Sequence, residues 1–365
     1  MRFLRSVPGR LLVASVILAA LYFLGNRLSN RETFNQYYFR IVMLCGIAII
    51  LSASLNLVNG ITGQFSIGHA GFMAIGGYVA AAFTVYGQHR FLPALDNASP
   101  WVQQGVLLLA TLVGGLAAAL FGLIVGLPSL RLRGDYLAIV TLGFGEIVRV
   151  TLLNIEAVGG AAGFSGYTSE RWGVVSIPAL TSFVAVYAVV ILLVVLSRCL
   201  AASTPGLSFL AVREDEVAAE AMGVNTSRIK VTAFVLSAFF AGTAGSLYAH
   251  MDGYLKPDEF GFLRSIEIVT MVVMGGMGSV SGAVVGAIIL TAAPEMMRDP
   301  LEHLAERHVL PAWISPDLVR QLLYALLLIV LMLTRPQGIF GQRELSLRWL
   351  FQRGRARLRA PMTKA

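Results

Sequence analysis

The chain has 365 residues, of which 56% are hydrophobic and only 13% are charged, and its formal net charge is +8. Soluble domains carry about 25% charged residues, so a chain this apolar has too few polar groups to cover its surface in water. The composition therefore excludes an ordinary soluble enzyme or binding domain and predicts an integral membrane protein. The apolar runs are about 20 residues long, which suits transmembrane helices and not barrel strands, whose apolar and polar residues alternate over roughly ten residues.

The apolar runs predict an all-α polytopic membrane protein with about eight full transmembrane helices. The predicted spans are 11–25, 39–58, 65–86, 103–127, 135–153, 177–197, 229–250 and 318–334. A further apolar segment, 264–296, is interrupted by Gly275, Gly276, Gly278 and Gly282. Each glycine inside a helix costs about 1 kcal/mol relative to alanine, so this segment forms either one kinked span or a re-entrant pair of half-helices. The fold would then have roughly 8–10 membrane segments.

The whole chain, 1–365, is predicted to be one transmembrane domain, because no Pro/Ser-rich linker or low-complexity tract divides it. The run at 11–25 has the length of a signal-peptide core as well as that of a short span. No clear cleavage region of small residues follows this run. We therefore expect it to remain in the chain as the first span.

The charges near the two ends of the chain favour the pair of half-helices. The N-terminal segment carries Arg2, Arg5 and Arg10, and the tail 335–365 is strongly basic. Lys and Arg flanking membrane spans stay on the cytoplasmic side, so both termini are predicted to be cytoplasmic. With the predicted spans, the C-terminal tail is cytoplasmic only if 264–296 enters and leaves the membrane on one side. The net positive charge is thus a topology signal and an attraction for anionic lipid heads, with no reason to invoke nucleic acid.

Residues 198–230, hereafter the polar loop, separate two long apolar runs. The loop carries four carboxylates close together, Glu214, Asp215, Glu216 and Glu220. Burying each of these charges in hydrocarbon would cost several kcal/mol, so the loop is expected to lie in water at the membrane surface. A short helix held there is a structure that a soluble partner can bind.

A helix is predicted in this loop from Arg213 to Met222, with a length of about 15 Å. Carboxylates near its start suit the positive end of the helix dipole. Small side chains at Ala218, Ala219 and Ala221 would allow a partner to approach closely. Gly223 is predicted to end the helix in the left-handed conformation. An ordinary solvated loop helix remains the alternative.

Two groups of polar residues within the predicted spans are candidates for a translocation path. Gln64, Ser66 and His69 lie on a glycine-interrupted stretch, and Glu146 and Arg149 are three residues apart on one predicted helix, near mid-depth in the membrane. Ionisable residues inside a membrane are candidates for function by default. The competing interpretations are hydrogen bonding between helices for the first group and a structural ion pair for the second.

The two halves of the chain each contain a glycine-interrupted membrane segment, at 60–71 and at 275–282. Such paired interruptions indicate a translocation path in transporters, which makes Gly275, Gly276 and Gly278 candidate path residues. Glycine also allows helices to pack closely. Both interpretations stay open from the sequence.

No catalytic or cofactor site is recognisable in the sequence. Lys230, Lys256 and Lys364 are its only lysines, and none follows the glycine pattern of a phosphate-binding loop. The histidines are scattered, and Cys45 and Cys199 are predicted to be free thiols. We therefore predict a non-enzyme with no bound cofactor and no metal.

Four blocks of this sequence resemble the permease subunits of branched-chain amino acid ABC importers, the LivM type of the LivH/LivM family. The blocks are GQFSIGHAGF at 63–72, LRLRGDYLAIVTL at 130–142 followed by FGE at 144–146, the polar loop continued by FVLSAFFAG at 234–242, and MGGMGS at 274–279 followed by Gly282. The resemblance extends from about residue 40 to residue 340. Each block is moderately specific, and their common order strengthens the match.

The resemblance implies that the polar loop contains a coupling helix, which sits in a groove of an ATPase subunit. The common motif has Glu-Ala-Ala, three further residues and then glycine; Ala218, Ala219 and Gly223 match it here. Glu216 is one position further from the alanines because Val217 is inserted. The ATPase-coupling residues implied are Arg213, Glu214, Asp215, Glu216, Ala218, Ala219 and Gly223.

The resemblance also implies the partners, the location and the mechanism. The partners would be two ATPase subunits that bind ATP-Mg, a binding protein outside the membrane, and a second permease that is either LivH-like or another copy. The location would be the bacterial inner membrane, and transport would occur by alternating access. The cargo would be branched-chain amino acids, with urea or short amides as the alternative. A secondary transporter would need no coupling helix, and a membrane enzyme would need a clustered polar site.

The outer loops 87–101, 155–176 and 252–263 are long enough to present a docking surface to the binding protein. Residues 297–317 are predicted to form a polar, interfacial helix. Glu267 is expected near the outer mouth, on a solvated face. Specificity in such importers resides mainly in the binding protein, which is why this chain says little about its cargo.

Overall fold

The computed structural model describes residues 20–21, 23–25, 35–91, 99–129, 135–169 and 173–298, together with 319, 322, 325–326, 329–330, 333–334, 338–341 and 344. The long helices are α1 (Gln36–Asn56), α2 (His69–Phe91), α3 (Pro100–Ser129), α4 (Asp135–Asn154), α5 (Phe183–Ala201) and α8 (Thr226–Asp252). The shorter helices are α6 (Thr204–Glu214), α7 (Glu216–Ala221), α9 (Phe262–Gly275) and α10 (Val280–Met296). A hairpin of β1 (Gly166–Ser169) and β2 (Gly173–Ser176) lies between α4 and α5.

Within the described residues, six helices are long and apolar enough to cross a membrane, and they correspond to α1–α5 and α8. The π-helical turn Leu57–Ile61 extends α1, so its apolar span runs from Gln36 to Ile61. The all-α polytopic membrane fold is therefore confirmed, although the predicted total of eight spans is not tested. The predicted spans 11–25 and 318–334, the helix at 297–317 and the tail 335–365 lie largely outside the described residues.

The centre of the bundle consists of α1, α2 and α8. The most apolar window of each is 89%, 72% and 67% buried, whereas the corresponding windows of α4 and α5 are only 28% buried. Glycines bring α2 and α8 close together, because a Cβ atom on Gly76 would overlap the backbone of Gly242. Helix association in lipid depends on such close van der Waals contact, since lipid tails are as apolar as the helices. The outer helices α4 and α5 leave long apolar faces available to lipid or to a partner.

The interrupted segment folds as two antiparallel helices, α9 and α10, and not as one kinked span. The Tyr37 hydroxyl donates to a Glu295 carboxylate oxygen at 2.5 Å, and Arg40 Nη2 lies 2.7 Å from Asp252 Oδ1. The end of α10 and the end of α8 therefore both lie beside the start of α1. The segment thus enters and leaves on one side, as the charge pattern predicts. We call this side the far end and the opposite side the polar-loop end.

The chain returns to the polar-loop end after residue 334. The backbone N–H groups of Ile339 and Phe340 donate to the carbonyl oxygens of Met274 and Gly275, at 2.8 and 3.2 Å. Arg198 Nη2 also lies 3.7 Å from Glu344 Oε2. The start of the predicted basic tail therefore lies at the same end as the polar loop.

Two spans begin later than predicted, for local reasons. Residues 63–68 belong to no helix, and α2 starts only at His69; the left-handed φ of 69° at Gly63 prevents the preceding helix from continuing. The span predicted from 177 starts at Phe183, where the Ser182 hydroxyl accepts from the Ala185 N–H at 3.2 Å and caps α5.

At the far end, the backbones of Phe164 and Leu255 exchange hydrogen bonds of 2.8 and 2.9 Å. This pairing joins the loop that carries the β-hairpin to the loop after α8.

Candidate functional site

The polar loop contains two short helices where the sequence predicts one. The break is at Asp215, which is extended (φ −155°, ψ 112°). Its side chain accepts from the N–H groups of Val217 and Ala218 at 2.9 and 3.0 Å, which makes it the N-cap of α7. The prediction of a single helix from Arg213 was therefore wrong. Glu214 ends α6 and does not lie at the positive end of a helix dipole, whereas Glu216 does occupy the first turn of α7.

Gly223 ends α7 in the left-handed conformation, as predicted. Its φ is 84°, and its N–H donates to the Glu220 carbonyl at 2.9 Å. The next N–H, on Val224, donates to the Ala219 carbonyl at 3.0 Å. These two bonds form a Schellman motif, the usual way in which a glycine closes a helix. No heavy atom lies within 4 Å of a Cβ atom placed on Gly223, so this turn faces open space.

The surface of the polar loop is apolar at its tips. Leu207, Val217 and Met222 expose 65%, 62% and 85% of their area. Ala218 is exposed, but Ala219 is buried and therefore faces the chain's own interior, not a partner. Exposed apolar groups among charged ones are a common feature of protein-binding surfaces. The loop can bind a partner through this surface.

A nearly buried ion pair ties the loop to the bundle. Lys230 Nζ, on the second turn of α8, lies 2.6 Å from Glu216 Oε1 on α7. The Lys230 side chain is only 7% exposed, and that of Glu216 is 27% exposed. Removing one partner of such a pair leaves the other charge poorly solvated. The pair thus fixes the position of α7 relative to a central helix.

Replacing Lys230 with methionine is expected to destabilise the protein by about 1–3 kcal/mol, because the Glu216 carboxylate loses a charge-assisted hydrogen bond. The measurement is unfolding in mixed micelles, with the double variant Glu216→Gln/Lys230→Met closing a thermodynamic cycle. Arg228→Met serves as the matched control, since Arg228 is exposed two residues away. Equal stability of the Lys230 and Arg228 variants would contradict a structural role for the pair.

Arg213 connects the polar loop to both glycine-interrupted segments. A Cβ atom on Gly63 would lie 2.9 Å from Arg213 Cγ, and one on Gly278 would lie 2.7 Å from Arg213 Nη1. The side chain of Arg213 therefore extends along the first interruption and reaches the second. Two segments that the sequence places more than 200 residues apart meet on one arginine of the loop.

The two interruptions also lie directly against each other, since a Cβ atom on Gly60 would overlap the backbone nitrogen of Gly278. The Gly278 N–H donates to Asn56 Oδ1 at 2.9 Å, at the last residue of α1. Gly276 and Gly278 have φ values of 112° and 90°, which L side chains adopt rarely. Gly275 has a different role, because a Cβ atom on it would overlap the carbonyl of Gly282 on α10. Close packing therefore accounts for Gly275, whereas Gly276 and Gly278 are required by the backbone conformation. Their place on a translocation path stays a prediction.

Helix α10 begins at this junction with two caps. The Ser279 hydroxyl accepts from the Gly282 N–H at 3.0 Å, and Glu344 accepts from the Val280 N–H at 2.5 Å. The Glu344 carboxylate also accepts from the Ser281 hydroxyl at 3.1 Å. A carboxylate at a helix N-terminus satisfies free N–H groups and suits the helix dipole.

The first group of predicted path residues lies between the end of α1 and the start of α2. Ser66 exchanges two hydrogen bonds with the Asn59 side chain, at 3.1 and 3.3 Å, through its backbone N–H and carbonyl. His69 Nε2 lies 2.8 Å from the hydroxyl of Ser54 on α1. Gln64 differs, because its side chain is buried and neither amide atom has a hydrogen-bond partner in the described part of the chain.

The second group lies apart from the first, towards the far end. Arg149 Nε donates to Glu146 Oε2 at 2.8 Å, and Arg149 Nη1 donates to Asp258 Oδ1 at 3.0 Å. Glu146 Oε1 also accepts from the Phe262 N–H at 3.0 Å, at the start of α9. The predicted contact between Glu146 and Arg149 is present. Both side chains are partly exposed, and they join α4 to the loop before α9.

Sequence reasoning missed Lys230, Glu344 and the cluster of charges around the start of α9. Lys230 follows an acidic loop and lies in the second turn of an apolar helix, which is a signal for a paired charge. Glu344 stands among arginines in the tail, and nothing local connects it to residue 280. Both contacts depend on how distant segments pack.

Comparison with known proteins gives a consistent family assignment. The family model described as "Branched-chain amino acid transport system / permease component" matches residues 37–331. The high-affinity branched-chain amino acid transport system permease protein LivM of Escherichia coli (strain K12) is 37% identical over 325 residues, covering 82% of this chain and 69% of that protein. No solved structure matches the chain.

More distant relatives include both permease types. LivH of Salmonella typhimurium is 26% identical over 332 residues, covering 86% of this chain and 97% of that protein. A probable branched-chain amino acid transport permease protein LivM of Methanocaldococcus jannaschii is 23% identical over 340 residues, covering 84% and 93%. Because the family model matches residues 37–331 and LivM of Escherichia coli is 37% identical over most of the chain, this protein belongs to the permease family of branched-chain amino acid transport systems.

Proposed function

We propose that this chain is the transmembrane permease subunit of an ATP-driven importer and that its cargo is branched-chain amino acids. The observation that carries the proposal is the polar loop, which offers exposed apolar tips to a partner and is held to the bundle by Arg213 and Lys230. A loop that only connected two spans would need neither feature. Force applied to this surface would reach both glycine interruptions through Arg213.

The proposed partners follow from the names of the relatives and from the shape of the loop. A LivH-like permease would pair with the exposed faces of this chain, and two ATPase subunits would bind ATP-Mg and dock on the polar loops. A binding protein would dock at the far end, where the loops after α4 and α8 join. In this arrangement the chain lies in the bacterial inner membrane, and the polar loop and both termini are cytoplasmic. The chain itself is not an enzyme.

The proposed mechanism is alternating access around the junction of the two interruptions. Gly276 and Gly278 supply backbone that can bend without a side-chain clash, and Gly275 keeps α9 against α10. The buried amide of Gln64 is the best candidate for a polar group on the path, because an unbonded buried amide is costly unless water or solute reaches it. Ser66, His69, Glu146 and Arg149 hold the walls of the path, since their hydrogen bonds join neighbouring segments.

Urea or short amides remain the alternative cargo. A secondary transporter is less well supported, because transport without ATP needs no partner surface on the polar loop.

Replacing Gly223 with tryptophan is expected to reduce ATP-dependent leucine uptake at least about tenfold while leaving the chain folded. The indole would project into the open space where the ATPase docks, and left-handed backbone costs an L residue about 1–2 kcal/mol. The measurement is uptake of labelled leucine and labelled urea by proteoliposomes that contain the complete complex.

Gly223→Asn is the matched control, since asparagine tolerates the left-handed region and is small. It should retain most of the uptake. Uptake of urea but not of leucine would overturn the proposed cargo and leave the permease role standing. Transport that needs no ATP and is unaffected by Gly223→Trp would overturn the proposed ATP coupling.

A further inference from the structure

A cavity of about 380 Å³ opens in the far half of the molecule, in the size range of small-molecule sites. It lies between α1, α2, α8, the turn Pro257–Phe260 and α9. Its lining combines apolar and aromatic side chains with five charged ones, Arg40, Asp258, Glu259, Arg264 and Glu267. The solvated face predicted for Glu267 is thus part of a concave wall.

The rim of this cavity carries charges of both signs. Arg264 Nη1 donates to Glu267 Oε2 at 2.9 Å across one turn of α9, and both side chains are partly exposed. Exposed ion pairs of this kind are worth little, so a ligand can exchange with them. Arg40 forms a similar ion pair with Asp252, and the Arg40 side chain is 60% exposed.

Glu259 is the carboxylate best placed to take a new cation. It accepts a hydrogen bond from the Tyr248 hydroxyl at 3.1 Å, and no cationic side chain within the described residues forms an ion pair with it. Its neighbour Asp258 is already paired with Arg149. A ligand ammonium group could therefore bind the Glu259 carboxylate without displacing another cation from it.

The deeper wall is apolar. Leu44, Met73 and Phe260 line it, and Met73 and Phe260 are almost fully buried. Leu263 stands at the mouth and is 77% exposed. A branched aliphatic side chain would replace water against this wall, which is favourable in proportion to the apolar area covered.

We propose that this cavity is the site at which the permease receives its solute, and that the solute is a zwitterionic amino acid with an apolar side chain. Arg264 and Arg40 bind the carboxylate, Glu259 and Glu267 bind the ammonium group, and Leu44 and the residues behind it receive the side chain. This inference rests on the proposed function, which gives the direction of transport. It also narrows the choice of cargo, because urea carries neither charge and would leave the arginines and the carboxylates of the rim without a partner.

The test is protection of one cysteine from a charged, membrane-impermeant methanethiosulfonate in proteoliposomes that contain the complete complex. The two native cysteines, both free, are first replaced by Cys45→Ala and Cys199→Ser. Leu263→Cys then places the single thiol at the mouth of the cavity. Leucine should slow its labelling, whereas isopentylamine, 4-methylpentanoate and urea at the same concentration should not, because each lacks at least one of the two charges.

Two rim variants sharpen the test. Glu259→Gln and Arg264→Gln should each raise the leucine concentration for half-protection about tenfold or more, since each removes a charge-assisted hydrogen bond. Lys256→Gln is the matched control, because Lys256 is exposed near the cavity and does not line it. A thiol at Trp101→Cys, at the start of α3, should label at one rate with or without leucine.

The outcomes separate the two proposals. Absence of leucine protection, or equal protection by all four solutes, would overturn the cavity site. Leucine uptake measured in the same vesicles reports on the proposed function independently. Uptake without protection would leave the importer standing and remove only this site, whereas protection without uptake would keep a zwitterion site and overturn the importer.

Discussion

Replacing Gly245 with leucine is expected to prevent α2 and α8 from packing and to eliminate the folded protein. A Cβ atom on Gly245 would overlap the carbonyl oxygen of Met73 and lie 2.8 Å from the Gly77 nitrogen. Both obstacles are backbone atoms of α2, so no side-chain rotation can relieve the overlap. Overpacking costs about 1–3 kcal/mol even where side chains can move, and a backbone clash costs more.

The measurement is the fraction of monodisperse protein after detergent extraction, followed by size-exclusion chromatography. Gly245→Ala should lower this fraction, and Gly245→Leu should bring it close to zero. Gly87→Leu on α2 and Gly105→Leu on α3 are matched controls, since no heavy atom lies within 4 Å of a Cβ atom on either glycine. If the Gly245 and Gly87 variants behave alike, close packing of α2 and α8 is not needed for folding.

Replacing Arg213 with alanine is expected to uncouple ATP hydrolysis from uptake, under the proposed function. The Arg213 side chain fills the space beside Gly63 and reaches Gly278, so its loss separates the polar loop from both interruptions. ATP hydrolysis should continue, because Arg213 is half-buried on the bundle side of the loop. Leucine uptake should fall at least about tenfold, which corresponds to 1.4 kcal/mol of lost coupling.

The ratio of ATP hydrolysed to leucine transported distinguishes coupling from simple destabilisation. A purely structural defect would lower both rates together, whereas lost coupling raises the ratio. Arg213→Lys keeps the apolar stem beside Gly63 and should recover part of the uptake. Arg228→Ala is the control, since it removes an exposed arginine at the same end of the molecule. An unchanged ratio for Arg213→Ala would exclude this residue as the link.

The sequence by itself determined the membrane class, the extent of most spans and the place of the polar loop. The reason is that hydrocarbon imposes a strict rule on each segment separately: about 20 apolar residues form a span, and a cluster of carboxylates lies in water. The left-handed turn at Gly223 was equally predictable, because glycine has no Cβ atom to oppose it. Charge asymmetry also predicted that 264–296 enters and leaves on one side.

Local sequence did not reveal the split of the loop at Asp215, although the residue is a strong N-cap. Periodicity allowed either one helix or two, and the ion pair between Glu216 and Lys230, which helps to hold α7, joins different elements. Likewise, Ala219 looked like part of a docking face until its burial in the chain was visible. A helix face acquires an inside and an outside only when its neighbours are in place.

Only the tertiary structure brought the two glycine interruptions together. Sequence marked both as candidates, yet the hydrogen bond from Gly278 to Asn56 and the contact with Arg213 join residues that are far apart in the chain. The charged cavity also depends on tertiary structure, since Arg40, Met73 and Tyr248 come from three other helices and meet residues 258–267 only when these segments pack. Spans follow from the solvent that each segment can tolerate, whereas sites follow from the packing of segments against one another.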